Sequence, residues 1–440
     1  MTRSAESARL GYPPNDRTDS EPGFARGVDA AVLTYVARQP IFDRRLDVVG
    51  YELLYRGDAS NVADVVDQEA ATFAVLGNAL VDFGLETLVG THPAFINVPR
   101  SFFDDGKYRL VQAKQVVLEL LEGTTVDEEL IEAIRGARAE GYRVALDDFT
   151  GQDTGWSLVD QAEIVKVDLR AIDTRQVADQ ARALKTAGVT ILAEKVETYQ
   201  DLELCRSLGF DLFQGFFFER PIVLSRAALS PDRLAATQLL VELHDPDVDV
   251  RRVAEVIRRD VGLTFRLLGI VNSSFYGLRN QVESVVQAVG LLGLDTVRNF
   301  ASVIALMKVQ GKPSELMTTA MVRARMCEIL ATRRSASETD GAFMVGLLSV
   351  LEALMDAPLA HVVERLPLSE RVESALLAGE GPLGDLLNLV RAYERGDQAT
   401  LATSGLAPDL LTGAYIEAVA WARDVRSALP VPGRATGPAA

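Results

Sequence analysis

Histidine is scarce in this chain: His92, His244 and His361 are the three present in 440 residues. Three dispersed imidazoles argue against a metal centre built from clustered histidines. Cysteine is scarcer still, and Cys205 and Cys327 fall in what read as different domains, so both are expected to be reduced, buried and inert. No apolar run reaches the roughly 20 residues that span a bilayer. The opening stretch, MTRSAESARLGYPPNDRTDSEPG, carries no apolar signal core. A cytoplasmic protein without membrane contact is therefore expected. Positive charge is also short: 45 Lys and Arg against 62 Asp and Glu leave a net charge of −17. That argues against a chain whose main work is gripping nucleic acid through its phosphates, while leaving room for a local basic patch.

What is present is ordinary for a globular protein, 48% hydrophobic and 24% charged. The length of 440 residues is too great for one core and suits two domains. Residues 1–30, rich in Ser, Pro, Gly, Asp and Arg, read as a disordered tail. From 31 to 223, β-like runs at 34–38, 48–54, 94–98, 116–121, 143–147, 164–167, 190–193 and 212–213 alternate with helical patterns. The helical patterns are 69–83, 127–140, 175–186 and 199–208. This alternation predicts an α/β domain, a (β/α) barrel. A charged turn at 43–47 makes its first two strands an antiparallel hairpin, a departure from a regular eight-fold barrel. Residues 224–234 read as a linker and 235–427 as an all-helical domain, with 428–440 a frayed tail. In the helical part, Val250, Val253, Val256 and Ile257 form an apolar stripe opposite four arginines. The polar Asn272-Ser273-Ser274, set in an apolar run, is expected to pin one helix against the next. The stretch after Gly293-Leu294 is like the second helix of a helix-turn-helix, but with only Arg298 and Asn299 for polar reach it reads as helix packing.

In a parallel barrel the C-terminal strand ends share one mouth. Acids and amides recur there: Glu52, Asn97, Glu119, Asp147-Asp148, Glu194 and Gln214, with Lys166 and Asp168 at an equivalent end. Carboxylate and amide oxygens suit a hard cation, Mg²⁺, Mn²⁺ or Ca²⁺. The Asp147-Asp148 pair could bridge two ions, and a nearby lysine could orient water or offset developing charge. Any one of these acids alone reads more readily as a helix cap or a surface ion pair. Recurrence at successive strand ends is what points to metal-assisted phosphodiester hydrolysis.

These residues carry a resemblance. From QPIF through YELLYR, FIN, LELLE, LDDF, KVD, AEKVE and QGFFFERP, residues 34–221 resemble the EAL domain of cyclic di-GMP phosphodiesterases. The resemblance implies that Glu52, Asn97, Glu119 and Asp147 bind one metal, Mg²⁺ or Mn²⁺, and Asp148 a second. It gives Arg56 a phosphate contact, Lys166 the orientation of the attacking water, and Glu194 the part of general base. Gln214 contacts substrate, Asp168 and Glu197 line the site, and Glu122 anchors the loop after DDF. Two departures stand out. Thr150 replaces the first glycine of the DDFGxGxSSL loop, and Lys195 replaces the glycine of AEGVE, where its ammonium could satisfy the acids in place of a metal. Both point to a weak or inactive site.

The second half resembles the HDOD domain, on its LHDPD start and the DVGLTFRLLGIVNSS and AVGLLGLDTVRNF blocks. Where catalytic HD relatives carry a His-Asp pair, this chain has Ser349-Val350, and His244-Asp245 lies far ahead of that position. The helical domain is therefore read as a protein-binding output module rather than a metal hydrolase. Together the halves resemble bacterial EAL–HDOD signalling proteins. The leading expectation is a cyclic di-GMP regulator whose barrel binds nucleotide or protein, with a possible homodimer contact through the barrel. The alternatives are an active metal-dependent phosphodiesterase yielding pGpG and a nucleotide-free scaffold.

Overall fold

The computed structural model describes residues 35–56, 84–121, 123–149, 153–222, 230–245, 249–273, 276, 281–334 and 341–429. The expected N-terminal tail, the helix over 69–83, and most of the expected linker and C-terminal tail lie outside the described residues. Eight strands close a barrel in sequence order: β1 (Tyr35–Phe42), β2 (Val48–Arg56), β3 (Ala94–Val98), β4 (Val116–Leu120), β5 (Arg143–Leu146), β6 (Ile164–Asp168), β7 (Thr190–Glu194) and β8 (Leu212–Gln214). Neighbours from β2 to β8 run parallel, and β1 is antiparallel to both β2 and β8. The hairpin turn forms because Asp43 Oδ1 accepts from the amides of Arg45 (2.8 Å) and Asp47 (3.0 Å). β1 runs on to Phe42, beyond the expected 34–38, because its far end also pairs with β8.

The connecting helices start on residues suited to capping. Asp127 accepts from the Leu130 amide ahead of Glu128–Ala139, and Asp173 with Gln176 forms a capping box for Thr174–Ala187. Thr198 with Asp201 does the same for Tyr199–Leu208. Three short helices, Leu85–Val89, Ser101–Asp104 and Asp153–Val159, were not expected, since five, four and seven residues are too few for a readable period.

The barrel interior is layered. Ile41, Phe95, Val117, Ala145, Ile164 and Leu192 form a separate buried apolar plug, with Leu212 packed on it. Gly50 belongs to the same level: a Cβ there would lie 2.6 Å from the Phe95 ring. Side chains alternate along a strand, so residues two positions further toward the mouth face the same lumen. Those residues are Gln39, Glu52, Asn97, Glu119, Asp147, Lys166, Glu194 and Gln214. An apolar floor thus carries a polar layer to which every strand contributes.

Beyond the barrel every described element is a helix, from Pro231–His244 to Pro408–Ala428. The expected amphipathic helix forms as Val250–Arg258 and buries Val253, Val256 and Ile257, while Val250 stays exposed. Asn272 clamps the following chain, donating to Val282 O (2.9 Å) and accepting from Val282 N (2.8 Å). The stretch likened to helix-turn-helix is the helix Leu294–Leu306, most of whose side chains are buried against other helices. Gly346 lets the helix Ala342–Leu348 meet Ser314–Arg334 backbone to backbone, since a Cβ would lie 2.5 Å from Ala324 N. Cys205 and Cys327 are buried free thiols, pushed up to about 12 by burial. Among the described residues no helix is long and apolar enough to cross a membrane.

The two halves fall within one compact unit, Leu33–Ala440. The Tyr393 hydroxyl donates to Val36 O (2.9 Å) and accepts from Val36 N (3.3 Å), and the Tyr415 hydroxyl accepts from Arg38 N (3.2 Å). Arg323 reaches Glu219, just beyond β8, at 2.7 Å, and Asp356 accepts from Ile222 N at 2.7 Å. Helical side chains thereby complete the hydrogen bonding of β1 where β8 has already ended.

Candidate active site

The polar layer converges on one ammonium. Lys166 Nζ lies 2.7 Å from Asp147 Oδ1, 2.9 Å from Glu194 Oε1, 3.0 Å from Glu119 Oε1 and 3.4 Å from Glu52 Oε2. An ammonium has three hydrogens to share among four carboxylates, so one must sit further off, and Glu52 does. Amides compensate it: Gln214 Nε2 donates to Glu52 Oε2 at 2.5 Å and Asn97 Nδ2 to Glu52 Oε1 at 3.1 Å. Strand register sets these meetings, pairing Gln39 with Glu52, Asn97 with Glu119, and Asp168 with Glu194. At the end of β8, Gly215 (φ 147°) is required, because a Cβ would fall 2.1 Å from Val196 O.

The electrostatics follow from burial and crowding. Burial would lower the Lys166 ammonium, but Glu119, Glu52, Glu194 and Asp147 outweigh it and hold its pKa well above the usual value. Burial pushes the Glu119 carboxyl well up, Glu52 and Asp147 add to it, and Lys166 opposes. Glu194 is pushed up to about 7 by burial together with Asp147 and Glu52, against the pull of Lys166. Asp148 is half-buried at φ 44°, and its carboxyl is raised by burial and by Asp147. The left-handed backbone there lets the Phe149 amide return to Lys166 O at 2.9 Å, holding the Asp-Asp turn on β6.

The remaining expected site residues divide. Asp168 is turned out of the ring, accepting from Arg170 N at 2.7 Å and pairing with Lys195. Glu197 is exposed, 3.6 Å from Arg170 Nη2 at the rim. Lys195 has a left-handed backbone (φ 54°) and its half-exposed ammonium is hydrogen-bonded to Asp168, one of the acids expected at the mouth, while Lys166 is the cation at the centre of the ring. Glu122, Thr150 and the Arg56 side chain lie outside the described residues. Sequence reasoning missed Gln39, whose Oε1 accepts from Gln214 Nε2 at 2.8 Å. The hairpin register, which sets it opposite Glu52, was the available signal.

The donor set suits a hard divalent cation in composition. Glu119 Oε2 and Glu194 Oε2 are buried without a hydrogen-bond partner, and four carboxylates exceed one ammonium in charge. Their present arrangement is centred on Lys166, and among the described residues no three acids surround a common point fit for an ion. Glu52, Glu119, Asp147 and Asp148, with Asn97, are the oxygen donors from which such an ion could be held.

Comparison with known proteins agrees with this architecture. The EAL domain model matches residues 91–221 and the HDOD domain model residues 230–361. Cyclic di-GMP phosphodiesterase CdgJ of Vibrio cholerae is 32% identical over 406 residues, covering 90% of this chain and 94% of that protein. The uncharacterized protein YuxH of Bacillus subtilis is 30% identical over 405 residues, covering 90% and 99%. Among solved structures, an EAL domain protein from Listeria monocytogenes is 21% identical, covering 42% of this chain and 87% of that one, with a TM-score of 0.35. With an EAL domain followed by an HDOD domain, and a relative 32% identical across nearly the whole of both chains, the chain belongs to the EAL–HDOD family.

Proposed function

We propose that this protein is a cyclic di-GMP signalling phosphodiesterase, opening the cyclic dinucleotide to linear pGpG with the help of divalent cations at the barrel mouth. The observation that carries the reading is the ring of Glu52, Glu119, Asp147 and Glu194 around Lys166, while Lys195 pairs with Asp168. A ring with such an excess of negative charge repels a phosphodiester unless cations intervene. Mg²⁺ or Mn²⁺ bound there would polarise a phosphate oxygen and acidify water. Glu194, raised to about 7, would take the proton of the attacking water as its oxygen bonds to phosphorus, and the 3′ oxygen would leave with the bond to phosphorus broken and take a proton from solvent. Lys166 offsets charge developing on the phosphate oxygens. The name carried by CdgJ supports the same reaction. The domain limits, 31–223 and 235–427, are part of this proposal, as is a protein partner for the helical half.

A receptor reading, binding without turnover, is favoured by one observation: in the resting arrangement Lys166 already occupies the centre of the ring. Calorimetric titration with cyclic di-GMP in Ca²⁺, repeated in Mn²⁺ with chromatography for pGpG, separates the two. The hydrolase reading expects product in Mn²⁺, reduced about 10²–10⁴-fold in Glu194→Gln while binding in Ca²⁺ persists. Binding in both ions with no product would overturn it in favour of the receptor.

A further inference from the structure

The acids of the mouth fall into two tiers, each with its own lysine. In the inner tier Glu52, Glu119, Asp147 and Glu194 share the Lys166 ammonium. The outer tier follows directly in the chain: Asp148 comes after Asp147 and Lys195 after Glu194, while Asp168 ends β6 opposite Glu194. Lys195 Nζ donates to Asp168 Oδ2, and Asp168 Oδ1 accepts from Arg170 N at 2.7 Å. Both oxygens of this buried carboxylate are therefore engaged. The hydrogen bond to Asp168 raises the Lys195 pKa, and the charges of Asp168, Asp148 and Glu194 add to it, so all three lie within electrostatic reach of the ammonium.

The backbone holds this tier under strain. Among the described residues four that are not glycine have a left-handed backbone, and two of them, Asp148 (φ 44°) and Lys195 (φ 54°), belong to the outer tier. A Cβ is unfavourable in that conformation, which glycine takes freely. Such strain persists only where the surroundings fix it, and it gathers at functional sites. Here the Phe149 amide on Lys166 O (2.9 Å) fixes the turn at Asp148, and the Val196 amide on Gln214 O (3.0 Å) fixes the chain just after Lys195. The tiers also differ in charge. Four carboxylates against one ammonium leave the inner tier with an excess that protons or cations must offset, and Glu119 Oε2 and Glu194 Oε2 are buried there without a hydrogen-bond partner. The outer tier sets Lys195 against Asp148 and an already engaged Asp168. A divalent ion drawn to Asp148 would be repelled by the Lys195 ammonium, whose field acts on that same carboxylate.

Resting on the metal-dependent reading of the mouth, we infer that Lys195 is its built-in outer cation: the inner tier takes one divalent ion, and at Asp148 and Asp168 the Lys195 ammonium stands where a second would bind. One of its three hydrogens goes to Asp168, and its half-exposed side chain leaves the others open to a phosphate oxygen of the dinucleotide.

The test is a Mn²⁺ titration of the full chain without nucleotide, with calorimetry for the stoichiometry and electron paramagnetic resonance for the bound ions. The parent should bind one Mn²⁺ at the mouth and give the spectrum of an isolated ion. Lys195→Gly and Lys195→Met should each take up a second ion and show the spin coupling of two ions held close together. Adding Asp148→Asn to Lys195→Gly should remove the second ion and its coupling, which separates the mouth from acids elsewhere on the surface. Thermal denaturation without metal checks that the variants fold. A coupled pair of ions in the parent, or a stoichiometry that neither lysine variant raises, would overturn the inference and leave the metal-dependent reading standing. A second ion that survives Asp148→Asn would overturn it as well. No Mn²⁺ bound by the parent would overturn the metal-dependent reading itself, and this inference with it.

Discussion

Two buried cations, Lys166 and Arg323, are surrounded differently. Lys166 at the barrel mouth faces four carboxylates. Arg323 at the junction of the halves faces two: Glu219 from the barrel at 2.7 Å, and Glu394 from the helix Gly381–Arg395 at 2.7 Å. Arg391 lies close enough to be lowered by burial and by Arg323, and it donates to Ser349 O at 3.3 Å. The junction is therefore near electrical balance, whereas the mouth carries uncompensated negative charge. A balanced buried pair needs nothing further. An unbalanced one, left with orphaned carboxylate oxygens, is stable only if protons or cations make up the difference. The excess at the mouth is what marks it as a site, and the balance at Arg323 marks a structural clasp.

The largest effect is expected from Lys166→Met, which removes the ammonium while keeping an apolar stem. Four carboxylates would then crowd without a partner, at a cost of about 3–5 kcal/mol. Denaturant unfolding should show that loss at neutral pH, shrinking as pH falls and the acids take up protons. Added Mn²⁺ should restore stability to the variant more than it raises that of the parent. A variant as stable as the parent at pH 7 would mean that the ring is not held by charge. Arg323→Met should cost somewhat less, about 3 kcal/mol, since two carboxylates are stranded and Arg391 remains beside them. Mn²⁺ should give no rescue there. Rescue at both positions would erase the distinction drawn between site and clasp.

How much of this was legible beforehand depends on what each residue does. The eight strands, the hairpin and the acids at the strand ends could be read because period and punctuation are local. Glu52, Glu119, Asp147, Lys166 and Glu194 were expected at one mouth from their places at successive strand ends, and the barrel brings them together. That Lys166 would be the centre of the ring could not be read, since it depends on a lumen only the closed barrel defines. Which acid Lys195 would meet most closely could not be read for a related reason: a left-handed backbone sets its ammonium on Asp168 of the neighbouring strand. Arg323, Glu219 and Glu394 are separated by 104 and 71 positions and carried no motif. Nothing local announces a long-range clasp.

A smaller effect tests whether charge, rather than polarity, sets these costs. His244 is half-buried and neutral, lowered from the usual 6.5 to about 4 by desolvation and by Arg298. A histidine depressed in the folded state contributes stability in full above its unfolded pKa and loses it as pH falls from about 6.5 toward 4. Between pH 7 and 5 the parent should therefore lose about 1–2 kcal/mol more than His244→Gln, as read by urea denaturation at each pH. Parallel profiles for the two would show that the imidazole takes up its proton without penalty.

The smallest effect concerns a junction contact with no charge at all. The Tyr393 hydroxyl bridges Val36 N and Val36 O on β1, and it also lies 3.2 Å from Thr412 Oγ1. Tyr393→Phe keeps the ring, which is 1% exposed, and leaves the Val36 amide and carbonyl without that partner. Leaving buried backbone groups unpaired costs about 1–3 kcal/mol, and a neutral hydrogen bond sits at the lower end. The expected loss is thus about 1 kcal/mol, less than either cation variant. Its consequence should still reach the mouth, because Val36 and Gln39 lie on one strand and Gln39 accepts from Gln214, which holds Glu52. If the helical half acts on the barrel through β1, Tyr393→Phe should change cyclic di-GMP turnover or affinity in Mn²⁺ at temperatures where the protein remains fully folded. A stability loss with unaltered handling of the dinucleotide would instead make this junction, like Arg323, a clasp that binds the halves without passing anything between them.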